Sequence, residues 1–495
     1  MPIEETLAAQ AVADQAVADQ VAVASRPQLV RAMRFRDVLL FYIVTGFAVR
    51  WIAAASAAGP SAVVVWLGAI VVFYIPLIYT VLELSTRYPD EGGIYVWTKQ
   101  AFGGFAGFFT AWTYWASNLP YFPGLLYFMA ANALFVAGAH GHALASSPLY
   151  FVIASILGLA LAVGLNLVGL NIGKWLHNLG SVGMWLPCLA LLGLAGVVWA
   201  RFGSATPITR VSMVPSAHLK DIIFWSTVAF SLTGAESASM LGDEIENPRW
   251  TIPRALLLAG CIVPTIYILS TLAILVAMPP DHVTIISGFM DSMVILSNRV
   301  HLGWIAILAG TLVAVGSIGQ CGAWFAASAR LPFVAGLDRY LPPAFGRVHP
   351  RWGTPYVALL VQAAISVLFI LLSQMGTGVQ GAYNVMVSVS VISYFIPYLI
   401  MFAALIRVQR TPAPPGIFRL PGGKRVAILL AAVGFATTAV SVALALIPDP
   451  SDPSPTLSVV KVVGFTVVLV GVGVVLYVSG VRRAAIGDQR MPISN

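Results

Sequence analysis

Charged residues are scarce in this chain. Only 9% of its 495 residues are Asp, Glu, Lys or Arg, whereas 59% are hydrophobic. In soluble domains roughly a quarter of the residues are charged, so these few charges could not cover the surface of a soluble protein of this length. The composition excludes a soluble globular protein. It indicates a polytopic membrane protein whose main surroundings are the lipid bilayer.

Sequence patterns for cofactors and metals are also lacking. The three cysteines, Cys188, Cys261 and Cys321, lie in apolar stretches and have no metal-ligand spacing. The chain contains no GxxxxGKS/T phosphate loop, no dinucleotide-binding fingerprint and no nucleophile–base pair inside an apolar segment. We therefore expect neither a cofactor nor a metal site, and we expect that the protein is not an enzyme.

Long apolar segments are what the chain has in abundance. A helix needs about 20 apolar residues to cross the hydrocarbon core of a bilayer. Reading the sequence with that length predicts an all-α membrane protein with twelve transmembrane helices. The predicted spans lie near residues 37–58, 61–86, 101–136, 148–170, 175–200, 220–242, 254–278, 302–330, 355–373, 380–406, 425–447 and 459–481.

The basic residues predict the orientation of these spans. With the N-terminus inside, most of the 27 Lys and Arg residues fall in cytoplasmic segments, as the positive-inside rule requires. This distribution accounts for the net charge of +8 without a nucleic-acid partner. We expect a multi-pass protein of the cytoplasmic (inner) membrane, with a disordered cytoplasmic N-terminal tail at 1–35 and a cytoplasmic C-terminal tail at 482–495.

Two ionisable residues interrupt the apolar pattern inside predicted spans. Arg50 follows Gly46 in the first span, and Glu236 follows Gly234 in the sixth. A charge at that depth is energetically expensive, and an opened helix is tolerated there only where it faces protein or a wet cavity. We therefore predict that both helices are broken and enclose a small-molecule site near the middle of the membrane.

The two interrupted spans are five helices apart. This spacing is typical of inverted structural repeats, whose broken first helices meet at the membrane midplane. We predict a first five-helix repeat at residues 36–200, a second, inverted repeat at 201–408, and helices eleven and twelve within 409–481.

Several motifs lie in or next to the predicted loops. In chain order they are ELSTRYPDEGGIYVW at 83–97, GAE at 234–236, EIENP at 244–248, IPRA at 252–255, SAR at 328–330 and HPRWGTP at 349–355. With these motifs in this order, nearly the whole chain resembles the amino acid–polyamine–organocation (APC) superfamily of permeases. It is most similar to the branch of polyamine and LAT-like amino acid transporters.

The resemblance implies a LeuT-type fold of 5+5 inverted repeats with broken helices 1 and 6, plus two C-terminal helices. It also implies secondary active transport of amino acids or related small amines by alternating access, coupled to protons or to exchange of a counter-substrate. In such permeases the unwound part of the first span offers free backbone amides to the substrate carboxylate, and the sixth span contacts its amino group. Unpaired N–H groups at such a break attract anions, and unpaired carbonyls attract cations. Mapped onto this sequence, the substrate-binding residues are Thr45, Gly46, Phe47 and Ala48, and then Phe230, Ser231, Thr233 and Gly234.

Five further side chains are candidates for substrate binding. Arg50 could bind a carboxylate through its planar fork, or it could neutralise Glu236. Glu236 could contact an amine, exchange protons, or stabilise the N-terminus of a second half-helix. The others lie in the third and eighth spans, where aromatic and polar residues cluster, and they are Asn118, Tyr121 and Trp324.

Two alternative functions stay open. A polyamine or organocation transporter would belong to the same branch, but the acidic residues that such carriers have late in the first span are absent from Ile52–Ala55. Arg50, just before this stretch, would also repel a polycation. A transport-inactive membrane sensor is the more distant alternative.

Overall fold

The computed structural model describes residues 29–137, 139–216, 219–372, 379–412, 416–419, 422–447 and 455–489. Over these residues the protein is helical and has no strands beyond one isolated β-bridge between Met33 and Ile245. The all-α prediction is confirmed. The first 28 residues of the predicted N-terminal tail and residues 490–495 of the predicted C-terminal tail lie outside the described ranges.

The described chain forms a succession of α-helices joined by connections of different lengths. They are α1 Phe35–Gly46, α2 Val49–Ser56, α3 Ala62–Ala69, α4 Ile75–Arg87, α5 Ile94–Phe102, α6 Gly104–Ala133, α7 Ala139–Leu144, α8 Pro148–Leu167, α9 Leu170–Phe202, α10 Leu219–Ser231, α11 Pro248–Ala277, α12 Gly288–Arg299, α13 Trp304–Leu337, α14 Tyr356–Leu372, α15 Val379–Val408, α16 Gly423–Ala445 and α17 Pro455–Gln489. A π-helical turn, Ile70–Tyr74, joins α3 to α4, and a 3-10 segment, Ser237–Glu244, follows α10.

Ten helical segments of the described chain are long and apolar enough to cross a bilayer. They match predicted spans one to five, seven, eight and ten to twelve. The predicted ninth span corresponds to α14, which has 17 residues. The predicted sixth span corresponds to α10, which has only 13 residues before the helix stops.

The first span consists of two helices with a break between them. α1 ends at Gly46 and α2 begins at Val49, and the two residues between them are extended, with φ/ψ of −130°/129° at Phe47 and −143°/125° at Ala48. Glycine is a weak helix former, so the helix is easily ended at Gly46. The break exposes backbone groups that a continuous helix would pair internally.

The sixth span is also broken, and its break lies against the first one. α10 ends at Ser231, and the 3-10 segment begins at Ser237. Between them Gly234 has φ +108°, a conformation that other residues rarely adopt. A Cβ at Gly234 would lie 3.1 Å from the Thr45 carbonyl oxygen and 3.2 Å from Gly46 Cα. Glycine therefore permits both the turn and the close approach of the two breaks.

The third span differs from its predicted bounds. Gly103 adopts φ +91° and ends α5, so the membrane helix α6 begins at Gly104 rather than near residue 101. α6 is 30 residues long and contains both Pro120 and Pro123. The helices α5 and α12 lie outside the predicted spans, and α17 stays helical to Gln489, beyond the predicted end of the twelfth span.

Tight helix packing surrounds the two breaks. α9 runs along α13, and α6 packs against both α13 and α15. At the crossing of α9 and α13, a Cβ at Gly319 would lie 2.3 Å from Gly180 Cα. Small residues let membrane helices approach closely, so glycine on both helices sets this short distance. α13 in turn packs against α1 and against the 3-10 segment that follows α10.

One end of the bundle is closed by main-chain and ionic contacts, and we call it the N-terminal face because the segment before α1 lies there. The amides of Ala32 and Met33 donate to the Glu244 carbonyl at 2.9 and 3.0 Å, and the Glu246 amide donates to the Met33 carbonyl at 2.9 Å. These bonds join the chain before α1 to the chain after the sixth-span break.

A buried ionic cluster lies at the same face. The Arg330 guanidinium donates to both carboxylate oxygens of Glu244, at 2.8 and 2.9 Å. Glu91 is a second buried carboxylate beside it, with Oε1 3.7 Å from Arg330 Nε and Oε2 accepting from the Asp243 amide at 3.0 Å. One guanidinium thus faces two carboxylates.

Candidate functional site

A small cavity lies where the two breaks meet. Its interior offers about 20 Å³ to the centre of a water-sized molecule, which is space for about one water. The walls come from both broken spans and from α6, α11, α13 and α15. The lining residues are Thr45, Gly46, Phe47, Ala48, Trp51, Asn118, Tyr121, Phe230, Ser231, Thr233, Tyr267, Trp324 and Tyr394.

Most of the residues predicted to bind substrate lie in this cavity. Ten of the thirteen line it, and Arg50, Gly234 and Glu236 lie outside the lining. Three lining residues were missed by sequence reasoning: Trp51, Tyr267 and Tyr394. Trp51 is next to Arg50 and was within reach of the first-span argument, whereas Tyr267 and Tyr394 lie on spans that show no break.

The backbone groups opened by the first break already have protein partners. The Ala48 amide donates to the Tyr267 hydroxyl at 3.0 Å. The carbonyls of Val44 and Phe47 accept from the side-chain amide of Gln320 at 2.6 and 2.7 Å. We expected these groups to be free for a substrate. The structure differs, because other helices satisfy buried backbone groups that a broken helix leaves open.

Side chains of other helices also form hydrogen bonds with the second break. The Gly234 amide donates to the Tyr398 hydroxyl at 3.1 Å. Glu236, which is fully buried, accepts from three tyrosine hydroxyls: Tyr398 reaches Oε2 at 2.5 Å, and Tyr114 and Tyr394 reach Oε1 at 2.5 and 2.9 Å. The carboxylate therefore lies behind the cavity wall and is connected to it through Tyr394.

Hydroxyl groups supply hydrogen-bond acceptors in the cavity wall. Thr45, Ser231 and Thr233 each donate to a backbone carbonyl three or four residues earlier, at 2.6 to 2.8 Å. A hydroxyl that donates in this way keeps oxygen lone pairs for another donor. The Ser237 hydroxyl lies 2.7 Å from that of Thr45, so Thr45 also connects the first span with the chain after the second break.

Five aromatic side chains of the lining contact one another as four successive pairs in space. We call these five side chains the aromatic cluster. The ring centroids are 5.5 Å apart for Trp51 and Phe230, 5.5 Å for Phe230 and Tyr394, 6.1 Å for Tyr394 and Trp324, and 6.3 Å for Trp324 and Tyr121. All four pairs are edge-to-face, the geometry that aromatic quadrupoles favour.

Arg50 closes the aromatic cluster into a ring. Its guanidinium carbon lies 4.8 Å from the ring centroid of Trp51 and 4.8 Å from that of Tyr121. The side chain is 2% exposed. Cation–π attraction of this kind is stronger when the cation is removed from water. Arg50 is therefore a buried positive charge separated from the cavity by the two rings.

The cavity wall also has a hydrogen-bond donor to spare. The indole N–H of Trp324 is buried and has no partner within the described part of the chain. The amide of Asn118, by contrast, donates to the Tyr114 carbonyl of its own helix at 2.8 Å. No group of three or more His, Cys, Asp or Glu residues that could hold a metal ion occurs in the described ranges.

Comparison with known proteins identifies the family. The sequence model of a family described as amino acid permease matches residues 32–475. The chain belongs to this permease family. The predicted membership of the APC superfamily is thereby confirmed.

Two relatives show what other permeases of this kind are described as doing. An uncharacterized transporter of Legionella pneumophila is 29% identical over 403 residues, which are 80% of this chain and 85% of the relative. A probable agmatine/putrescine antiporter of Lactococcus lactis is 25% identical over 418 residues, 84% of this chain and 88% of the relative.

Permease family membership and the ten apolar helical segments together settle the broad class. The chain is a multi-pass integral membrane protein and a membrane transporter. Its substrate is a small molecule.

Proposed function

We propose that the chain is a secondary active transporter that moves amino acids or related small amines across the cytoplasmic membrane by alternating access. One observation carries the proposal. The cavity at the two helix breaks is connected through single layers of aromatic side chains to one buried cation and one buried anion. Trp51 and Tyr121 separate it from Arg50, and Tyr394 separates it from Glu236.

This arrangement suits a molecule that has both charges. The hydroxyl oxygens of Thr45, Ser231 and Thr233 can accept hydrogen bonds from an ammonium group. The free indole N–H of Trp324 can donate to a carboxylate. The field of Arg50 favours a carboxylate near the first span, because charges interact strongly where water is excluded. The cavity as it stands has space for about one water, so an amino acid enters only when the cavity widens. A zwitterionic amino acid then finds a partner for each of its ends.

For the architecture we propose twelve helices in a LeuT-type arrangement, with inverted repeats at 36–200 and 201–408 and two further helices after them. The direct contact between the breaks, at Thr45 and Gly234, supports this arrangement, because paired interruptions at equivalent helices are typical of inverted repeats. The N-terminal face would be cytoplasmic. It is closed by the Met33–Ile245 pairing and by the Arg330 cluster, so access from that side requires these contacts to open.

Glu236 is our candidate for coupling. Its three tyrosine donors form one continuous hydrogen-bonded group, and Tyr394 of that group lines the cavity. A proton on the carboxylate has to reorganise these hydroxyls, because the protonated group carries one O–H donor where the carboxylate offers only acceptors. Proton coupling would therefore change the cavity wall directly. Exchange of a counter-substrate needs no such change.

A polyamine or organocation carrier is the second candidate. The relative described as a probable agmatine/putrescine antiporter favours it, and so does the aromatic lining, because aromatic faces attract cations. Arg50 opposes it, because a buried guanidinium next to the cavity repels a second cation.

Uptake into proteoliposomes, with and without an imposed pH gradient, tests the proposal. Radiolabelled neutral, acidic and basic amino acids are compared with agmatine, putrescine and spermidine. We expect uptake of at least one amino acid. Stimulation by an inward proton gradient indicates symport, and stimulation by preloaded solute indicates exchange. Uptake of the polyamines alone would replace our first candidate by the second, and uptake of none of them would contradict both.

A further inference from the structure

Gln320 lies in the middle of α13 and is fully buried. Its side-chain nitrogen donates to the carbonyl of Val44 at 2.6 Å and to that of Phe47 at 2.7 Å. An amide nitrogen has two hydrogens, so one side chain serves both carbonyls. The opposite orientation would set the amide oxygen against two carbonyl oxygens, so the hydrogen-bond network fixes the nitrogen toward the first span.

The Val44 carbonyl is one half of a hydrogen bond that the break removes. In a continuous helix it would accept from the Ala48 amide, four residues later. In the structure the Ala48 amide donates to the Tyr267 hydroxyl instead. Gln320 of α13 therefore supplies a donor for the Val44 carbonyl, and Tyr267 of α11 supplies an acceptor for the Ala48 amide.

The Phe47 carbonyl has also lost its helical hydrogen-bond donor. Its helical partner would be the Trp51 amide, which donates to the Ala48 carbonyl at 3.1 Å. Without Gln320, both carbonyls would lie in the interior without a donor, at a cost comparable to a lost hydrogen bond each. Winding residues 47 and 48 into a continuous helix would remove that cost, because it restores the internal partners.

The amide oxygen of Gln320 shows that packing does not explain the residue. This oxygen is buried and has no hydrogen-bond partner within the described ranges. An unpaired buried acceptor destabilises a protein, so stability alone would favour an apolar side chain of similar shape, such as methionine. The two contacts of the nitrogen are what a glutamine adds at this position.

We propose that Gln320 is a positioning residue for the substrate site: its amide keeps the first span broken and holds the extended backbone of Phe47 and Ala48 in the cavity wall. The inference rests on the transport function proposed above, because it takes the cavity as the substrate site. Gln320 itself is not part of the lining and acts through the backbone of the first span.

The test compares full-length variants in which one buried glutamine becomes methionine. Gln320→Met removes the donors and keeps the shape. Gln362→Met is the matched control, because Gln362 of α14 is equally buried but contacts Trp115 and Ser328 rather than the first span. Gln320→Lys is the rescue variant, because burial favours its neutral amine, whose two hydrogens can still serve both carbonyls.

Two measurements are made on each variant: the KM and maximal rate of uptake for the transported solute, and hydrogen exchange of the peptide spanning residues 44–51. For Gln320→Met we expect a KM about tenfold or more above wild type, the loss that two hydrogen bonds represent. We also expect a changed exchange rate in that peptide. Gln362→Met is expected to keep the wild-type values of both, and Gln320→Lys to recover most of the affinity.

A Gln320→Met variant that matches Gln362→Met in both KM and hydrogen exchange would overturn the inference. If only Gln320→Lys can be purified, a KM and an exchange pattern like those of wild type support the inference, and a raised KM with altered exchange contradicts it. If wild-type protein takes up no solute, the proposed function fails, and the hydrogen-exchange comparison still decides whether Gln320 holds the break.

Discussion

The Tyr398 hydroxyl donates to Oε2 of Glu236 at 2.5 Å and accepts from the Gly234 amide at 3.1 Å. One phenol therefore connects α15 to both the carboxylate and the backbone of the broken sixth span. It fixes the turn at Gly234 from outside, because the Gly234 amide has no helical partner, whereas the Gly234 carbonyl accepts from the Ser237 amide at 3.1 Å. The side chain is fully buried, so water cannot replace either bond.

Tyr398→Phe is expected to destabilise the protein by about 1–3 kcal/mol, because it leaves the Gly234 amide and one carboxylate oxygen buried without partners. Uptake should fall as well, since the second break loses its support. Thermal unfolding in detergent and proteoliposome uptake measure the two effects. Tyr127→Phe is the control: this buried hydroxyl donates to the Ile370 carbonyl at 3.2 Å, away from the cavity. Equal uptake by the two variants would contradict the expectation.

Arg50 gives a prediction about specificity. Arg50→Gln removes the cation from the faces of Trp51 and Tyr121, so these rings become available to a cationic solute. We expect amino acid uptake to fall by about tenfold or more, and agmatine or putrescine to bind more tightly than to wild type. Arg50→Ala is expected to abolish amino acid uptake.

The control for Arg50 is Arg254→Gln. Arg254 stacks on Trp250 with 3.6 Å between the guanidinium carbon and the ring centroid, but this pair lies at the N-terminal end of α11. Thermal-shift screening against both groups of solutes provides the measurement. Wild-type uptake by Arg50→Ala would remove this arginine from the mechanism.

Gly234→Ala tests the contact between the breaks. Alanine at φ +108° is strained, and its Cβ would be 3.1 Å from the Thr45 carbonyl oxygen, so the first span has to move. We expect a loss of about 1–3 kcal/mol in the free energy of unfolding and a matching loss of substrate affinity. Gly164→Ala in α8 is the control, because a Cβ there meets nothing within 4 Å. Unchanged affinity in Gly234→Ala would show that the close approach is not needed.

Glu91 predicts how the stability of the folded protein depends on pH. Burial, and to a smaller extent the charge of Glu244, raises the pKa of Glu91 well above its ordinary value, against the opposing effect of Arg330. A raised pKa means that the folded protein binds the proton more tightly than the unfolded chain. The stability gained is complete below the ordinary glutamate pKa of about 4.3 and is lost as the pH rises through the raised value.

Glu91→Gln imitates the protonated form at every pH. The variant should therefore be more stable than wild type at pH 8 and should lose the part of the pH dependence between pH 5 and 8 that Glu91 contributes. Thermal unfolding across this range measures it. Glu246→Gln is the control, because that side chain is 44% exposed and its change should stay within about 0.5 kcal/mol. A Glu91→Gln profile parallel to that of wild type would exclude Glu91 as the titrating group.

Local signals predicted the two breaks. Gly46 and Gly234, together with a charge inside each apolar segment, were enough to place them from the sequence. The residues on these two spans that were assigned to the site mostly line the cavity, because a break in a membrane helix has to face a cavity or protein. Bounds such as the start of α6 were missed, since a positive φ at Gly103 is not visible in an apolar run.

Contacts between distant spans were not predictable in this way. Tyr267 and Tyr394 lie on helices with ordinary apolar patterns, and only the packing of α11 and α15 brings them to the breaks. Tyr114 was part of a recognisable aromatic run, but its contact with Glu236 depends on how α6 faces the sixth span. The expectation of free backbone ends was incomplete for the same reason, because Gln320 and Tyr267 arrive from elsewhere in the chain.

The pairing of Met33 with Ile245 has a mechanical consequence. Its bonds join main-chain atoms, so among substitutions only proline at a donor position, which lacks the N–H, removes one of them. The segment before α1 and the segment 244–246 are therefore connected, and a tilt of one moves the other. An opening of the N-terminal face must therefore move both broken spans together, or it must first break these main-chain hydrogen bonds.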